Sequence, residues 1–147
     1  MIFMYRGKQQ KIHNEAKWVY GLLTYYSDDY ATIRTIDTEK YYRVDSKSVG
    51  MCVVSHSKDF TKEIFDGDIC RVIDDYDDPC GYTRSYHSDY LCEWNDKLSA
   101  FCFYYIDPKI GVQHNDYVLI NEFNEFQDHY IIGNKYDNPD LLESAKS

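Results

Sequence analysis

The sequence lacks several features that would place it in a familiar class of protein, and each absence is informative. No stretch approaches the roughly 18 consecutive apolar residues of a membrane-spanning helix. The first residues, "MIFMYRGKQQ", lack the apolar core of a signal peptide. The sequence also contains no glycine-rich phosphate loop, no HExxH and no GxSxG motif. We therefore expect a cytoplasmic protein without enzymatic activity.

Cysteine pairs at the spacing of a zinc knuckle are also missing. The five cysteines are an odd number, and none of them belongs to a C-x2-C pair. Even so, Cys80, His87 and Cys92 lie within thirteen residues of one another, and zinc accepts Cys and His ligands. We predict that zinc, if bound, takes these three ligands and either Cys70 or Cys102 as the fourth. The alternative is that no cofactor is bound and that the cysteines are reduced, small hydrophobic residues.

Negative charge is abundant but unevenly placed along the chain. The formal net charge is -9. Residues 1–62 carry ten Lys/Arg and seven Asp/Glu, whereas residues 63–147 carry six Lys/Arg and eighteen Asp/Glu. The acidic part repels nucleic-acid phosphates and attracts basic protein surfaces. The charge pattern therefore predicts a basic protein partner, and the alternative is a surface that only keeps the protein in solution.

Aspartate and tyrosine are concentrated in one short stretch, "DDYDDPCGY", at residues 74–82. Asp, Pro and Gly together favour turns, so the stretch predicts a loop over residues 74–81. Four like charges this close are costly to bury, and the loop should therefore be exposed. Carboxylates pair with arginine, and tyrosine rings stack on guanidinium groups. The predicted partner-binding residues are Asp74, Asp75, Tyr76, Asp77, Asp78 and Tyr82.

Short aromatic and β-branched segments separated by polar turns dominate the chain. They predict a mainly β, β-rich α+β fold in which consecutive antiparallel hairpins form a small barrel-like core. We expect a single domain over residues 1–147. Its two sub-lobes would be a mildly basic one over residues 1–62 and a strongly acidic one over residues 63–147.

Two local motifs give more specific predictions. Asp66-Gly67 lies between apolar residues in "IFDGDICRVI", which predicts a type I′ hairpin turn. Near the end, Asn138 followed by Pro139 predicts the start of a short C-terminal helix.

Three segments carry a resemblance to a known family. They are "WVYGLL" at residues 18–23, "VDSKSVG" with "EIFDGDI" between residues 44 and 69, and "IGNKYDNPDLL" at residues 132–142. In this order they resemble the YopX family of phage and prophage proteins. The chain departs from the family pattern directly after Gly50. The resemblance implies a β-rich fold and a phage origin, but no particular reaction.

Charge and phage resemblance together predict an accessory binding protein of the host cytosol. An acidic, tyrosine-rich surface suits an Arg/Lys-lined target, and the nucleic-acid channels of CRISPR effector nucleases are positively charged. An anti-CRISPR inhibitor is a concrete form of this hypothesis. One alternative is direct binding of DNA or RNA through the basic N-terminal end. Its cations are Arg6, Lys8, Lys11 and Lys17. A zinc-stabilised interaction module is the other alternative.

Overall fold

A computed structural model describes residues 4–9, 17–54, 63–124 and 129–143. The chain divides into two compact units, Met1–Ser55 and His56–Ser147. Nearly all of the regular elements are antiparallel strands, so the predicted mainly β fold is confirmed. None of the helices among the described residues has the length and apolar character needed to cross a membrane.

The first unit contains five antiparallel strands. They are β1 (Tyr5–Lys8), β2 (Trp18–Tyr26), β3 (Ala31–Arg34), β4 (Tyr41–Val44) and β5 (Gly50–Val54). Side by side, they follow the order β4-β3-β2-β1-β5. A 3-10 turn, Ser46–Ser48, connects β4 to β5, and the Asp45 side chain caps it by accepting the Lys47 backbone N–H at 3.0 Å.

A small apolar core and a backbone bridge connect distant parts of this sheet. The buried core residues are Val19, Ala31, Ile33 and Val44. Gln9, just after β1, forms an isolated antiparallel bridge with Val44. The Asp45 backbone N–H donates to the Lys8 carbonyl at 2.8 Å. These contacts bring the end of β4 back to β1, although the described strands form no closed barrel.

The second unit contains a five-stranded antiparallel sheet. The elements of the second unit are β6 (Ile64–Phe65), β7 (Asp68–Asp77), β8 (Thr83–Asn95), β9 (Ala100–Asp107), β10 (Gly111–Leu119), α1 (Ile120–Asn124), β11 (His129–Asn134) and a 3-10 turn (Pro139–Leu142). The strand order in the sheet is β10-β9-β8-β7-β11. Consecutive hairpins therefore build its centre, as predicted.

Each face of this sheet packs against its own apolar cover. On one face Ile69, Leu91 and Ile106 form a buried cluster. Leu141 and Leu142 of the 3-10 turn pack against that cluster. On the other face the short helix α1 inserts a buried ring, and Phe123 stacks on Phe103 with centroids 3.8 Å apart. Burial on both faces explains why β9 reads as a nearly continuous apolar run, "AFCFYYI".

The C-terminal helix begins where the sequence predicts, but it is a single 3-10 turn. Asn138 occupies the N-cap position and Pro139 is the first helical residue. The Asn138 side chain does not cap the turn. Instead its Oδ1 accepts the Asn134 backbone N–H at 3.2 Å. The Asn134 side chain in turn accepts the N–H groups of Tyr136 and Asp137, so "IGNKYDNP" is a locally hydrogen-bonded structural turn.

The Asp66-Gly67 turn forms, but the predicted type I′ hairpin is wrong. Gly67 has φ of +94°, whereas Asp66 is not among the residues with positive φ. β6 is also not a strand of the five-stranded sheet that β7 enters. The turn is held from within, because the buried Asp68 carboxylate accepts the Phe65 backbone N–H at 2.8 Å. An Asp-Gly pair thus marks the turn but not its type.

Candidate functional site

The predicted acidic loop is mostly strand, and it projects from the second sheet. β11 pairs with β7 only as far as Val72, and β9 pairs with β8 only from Asp89 onward. Beyond those points Ile73–Asp77 pairs with Thr83–His87, and among the described residues no third strand joins them. We call residues 73–87 the ribbon. It is a two-stranded hairpin whose tip is the turn at residues 78–82.

One face of the ribbon, which we call the tyrosine face, carries a stacked aromatic pair. Antiparallel register places Asp74 opposite Tyr86 and Tyr76 opposite Arg84. The rings of Tyr76 and Tyr86 stack diagonally, with centroids 5.4 Å apart and planes 19° apart. Both side chains remain about half exposed, at 45% and 52%. A hydrogen bond with Tyr86 raises the pKa of Tyr76, and partial desolvation makes a smaller contribution in the same direction.

On the opposite face, which we call the hydroxyl face, the carboxylates accept hydrogen bonds from hydroxyl groups of the ribbon itself. The Ser85 hydroxyl donates to the Asp75 carboxylate. The Thr83 hydroxyl donates to the Asp77 carboxylate at 3.1 Å. Both aspartates are exposed. The hydroxyl face therefore carries two carboxylates and no Lys or Arg, whereas the tyrosine face combines the Asp74 carboxylate and the Arg84 guanidinium with exposed rings.

The loop predicted over residues 74–81 is therefore too long, because β7 continues through Asp77. The alternation of a strand separates Asp74 from Asp75 and Asp77, and cross-strand hydroxyls offset the charge repulsion. Asp78 is the structural member of the group. Its carboxylate accepts the Cys80 backbone N–H at 3.0 Å and pairs with Arg84 Nε at 3.2 Å.

Tyr82, just outside the predicted loop, lies in the turn and is the most exposed tyrosine of the ribbon, at 73%. Its backbone carbonyl accepts the Asp78 N–H at 2.7 Å. Gly81, beside it, has φ of +88° and no neighbour close to the position of a Cβ. The tip is thus a tight turn that presents Tyr82 outward.

The tyrosine face continues from the ribbon onto the sheet. Tyr86 and Tyr90 are four residues apart on β8, so their side chains lie on the same face of the strand. The Tyr90 ring contacts the Tyr105 ring edge-on, with centroids 5.9 Å apart. Burial raises the pKa of Tyr90, and the negative charges of Asp116 and Asp74 raise it further. Both carboxylates are therefore close enough to act on this ring, so the face carries a row of tyrosines flanked by two exposed acids.

The predicted zinc ligands are not brought together. Cys80 is exposed at the tip, His87 is exposed at the base of the ribbon, and Cys92 is fully buried in the sheet. His87 and Cys92 are five residues apart on one strand. Their side chains therefore point to opposite faces of the sheet, and their Cα atoms are about 16 Å apart along the strand. Within the described ranges no group of three His, Cys, Asp or Glu side chains is arranged to hold a metal.

The two cysteines predicted as alternative fourth ligands, Cys70 and Cys102, are core residues. Cys70 and Cys102 are fully buried. Cys102 pairs with Glu93 in the β8–β9 ladder, which puts it on the face opposite to Cys92. Burial raises the pKa of the Cys102 thiol, which favours its neutral form.

The basic N-terminal end has fewer exposed cations than the sequence predicts. Arg6 is only 5% exposed, and its guanidinium lies 4.6 Å from the centroid of the Trp18 ring. The Lys8 ammonium also approaches that ring, at 6.0 Å. Lys17 is exposed, and Lys11 lies outside the described residues. Arg6 thus serves the packing of the first unit.

Sequence reasoning missed Tyr86 and Arg84 as members of the site. The signal was present, because a turn centred on residues 78–82 fixes the register that places Tyr86 opposite Asp74. The sequence indicates a loop for the aspartates, and a loop has no pairing register from which the position of Tyr86 could be predicted.

Comparison with known families identifies the chain. A family model described as YopX protein matches residues 5–143, and the chain therefore belongs to the YopX family. The family indicates a phage-type protein. Neither the curated proteins nor the solved structures include a match to this chain.

Proposed function

We propose that this protein is a non-enzymatic phage accessory protein that binds a nucleic-acid-handling or defence protein in the host cytosol. The ribbon is its binding element. The observation that carries the proposal is that the ribbon projects from the sheet and is negatively charged. The ribbon extends beyond the sheet and carries exposed Asp74, Asp75 and Asp77, while its one cation, Arg84, already pairs with Asp78.

The chemistry of the ribbon suits a target whose surface evolved to hold nucleic acid. Such surfaces present Arg and Lys side chains to phosphates. Carboxylates offer the same cations an alternative anionic partner, and tyrosine rings add stacking on guanidinium groups. A CRISPR effector nuclease, with its positively charged heteroduplex channel, is a concrete target of this kind. An anti-CRISPR inhibitor is therefore the specific function that we propose.

A matched pair of variants tests this proposal. The ribbon variant is Asp74→Asn, Asp75→Asn and Asp77→Asn, which removes three charges and leaves the structural Asp78 intact. The control variant is Glu122→Gln, Asp140→Asn and Glu143→Gln, which removes three exposed charges from the same unit but not from the ribbon. Both variants have the same net charge, so a difference in their inhibition shows that the position of the removed charges matters.

Guide-directed DNA cleavage by a panel of host CRISPR effector nucleases is measured with each protein added. We expect the wild type and the control variant to inhibit an effector, and the ribbon variant to inhibit it much less. Inhibition should also weaken as salt rises. Absence of inhibition across the panel would reject the anti-CRISPR form of the proposal. Equal inhibition by both variants would reject the ribbon as the binding element.

A further inference from the structure

The two faces of the ribbon differ in what they can offer a partner. On the hydroxyl face, Ser85 and Thr83 already donate to Asp75 and Asp77. On the tyrosine face, Asp74 lies opposite Tyr86, whose ring stacks on Tyr76. Arg84 lies opposite Tyr76 on this face, but it is already paired with Asp78. A second cation arriving on the tyrosine face would meet the Asp74 carboxylate and an aromatic surface together. A cation arriving on the hydroxyl face would meet carboxylates alone.

The chain shows elsewhere which cation fits such a pair. In the first unit, Tyr25 and Tyr30 pack with centroids 5.0 Å apart. The Arg43 guanidinium lies over the Tyr30 ring, 3.8 Å from its centroid. The planar guanidinium can stack on a ring and still donate in its own plane to a carboxylate, whereas an ammonium group cannot stack. Among the described residues, no cation occupies the equivalent position over Tyr76 and Tyr86.

We infer that the tyrosine face of the ribbon is the contact surface for the partner, and that it recognises an arginine side chain in preference to a lysine. The guanidinium stacks on the Tyr76–Tyr86 pair and pairs with the Asp74 carboxylate. Asp116 and the half-buried Tyr90 extend the same surface onto the sheet. This inference rests on the proposed function, and it specifies which face acts and what that face binds.

The test uses oligoarginine and oligolysine peptides of equal length as probes, with affinity measured by fluorescence anisotropy at low ionic strength. Two double variants remove the same charge from opposite faces. The tyrosine-face variant is Asp74→Asn with Asp116→Asn, and the hydroxyl-face variant is Asp75→Asn with Asp77→Asn. A third variant, Tyr76→Leu with Tyr86→Leu, removes the rings, and Tyr76→Phe with Tyr86→Phe retains them.

We expect the wild type to bind oligoarginine several-fold more tightly than oligolysine, since a guanidinium can stack on a ring while it pairs with a carboxylate and an ammonium group cannot. The tyrosine-face and leucine variants should lose this preference. The hydroxyl-face and phenylalanine variants should keep it. Circular dichroism confirms that each variant is folded, and a leucine variant that unfolds is replaced by the single change Tyr86→Leu.

The outcomes separate the inference from the proposed function. Equal affinity of the wild type for the two peptides would overturn the arginine preference. Equal losses from the two double variants would overturn the assignment of the face while leaving the ribbon as an acidic binding element. Unchanged binding when Asp74, Asp75 and Asp77 are all replaced by Asn would overturn the ribbon as the binding element in the proposed function.

Discussion

Asp89 accepts two hydrogen bonds from Arg71, one from Nε at 2.8 Å and one from Nη2 at 3.1 Å. The two residues face each other across β7 and β8, two residues before the ribbon leaves the sheet. Both side chains are largely shielded from solvent. The bidentate geometry is the strongest form of such a pair, and the Asp89 hydrogen bonds raise the pKa of Arg71. This pair therefore anchors the ribbon.

Replacing Asp89 by Asn should weaken that anchor. Because hydrogen bonds to charged groups contribute about 1.5–3 kcal/mol and Asn retains part of the geometry, we expect a loss of about 1–2 kcal/mol in the free energy of unfolding. Urea unfolding measures it. Asp74→Asn, at an exposed position with no such partner, should change stability by less than about 0.5 kcal/mol. Equal effects of the two substitutions would show that the pair does not anchor the ribbon.

Gly67 and Gly81 both have positive φ, but their surroundings differ. A Cβ on Gly67 would lie 3.1 Å from Tyr136 Cε2, whereas a Cβ on Gly81 would meet nothing within 4 Å. Replacing either residue by Val strains the backbone by about 1–3 kcal/mol. We expect the Gly67→Val loss to exceed the Gly81→Val loss because of the added crowding. Thermal unfolding of both variants decides, and a larger loss at Gly81 would contradict the assigned turn.

Gly133 and Asn138 are coupled through space. A Cβ on Gly133 would collide with the Asn138 side chain, which accepts the Asn134 backbone N–H. Gly133→Ala should therefore displace Asn138 and destabilise the turn by about 1–3 kcal/mol. In the background of Asn138→Gly the same substitution should cost much less. A double-mutant cycle with a coupling energy near zero would argue against this packing.

The Tyr76–Tyr86 pair makes a prediction about pH. The hydrogen bond that the neutral Tyr76 hydroxyl makes to Tyr86 raises the pKa of Tyr76, so Tyr86→Phe should lower that pKa toward its ordinary value near 10. Because the folded state favours the neutral Tyr76, its contribution to stability is complete below that ordinary value and is lost as pH rises through the folded-state pKa. Carbon NMR of the labelled Tyr76 ring measures the shift. An unchanged titration in Tyr86→Phe would contradict the pairing.

Much of the fold could be predicted from local sequence. The hairpin that forms β3 and β4 and the β8–β9 turn near Asn95 were both predictable, because apolar strands there flank polar turn residues. The start of the last helix at Asn138 followed from its cap and proline. These features depend on short-range chemistry, which a sequence displays directly.

What could not be predicted depended on contacts distant in sequence. Aspartate is a poor strand former, so nothing local indicated that β7 would continue through Asp77. Its partners Thr83 and Ser85, together with the Tyr76–Tyr86 stack, make the extension stable. The dispersal of Cys80, His87 and Cys92 likewise follows from their places on one long hairpin, which spacing alone does not reveal.

NMR mapping of the site that a basic ligand occupies tests the central claim most directly. Oligoarginine is titrated into isotope-labelled wild-type protein while amide and tyrosine-ring signals are followed. We expect the largest shifts at residues 73–87, with the ring signals of Tyr76 and Tyr86 among them, and loss of these shifts on replacing Asp74, Asp75 and Asp77 by Asn. Shifts centred elsewhere in the chain, with the ribbon signals unchanged, would contradict the account.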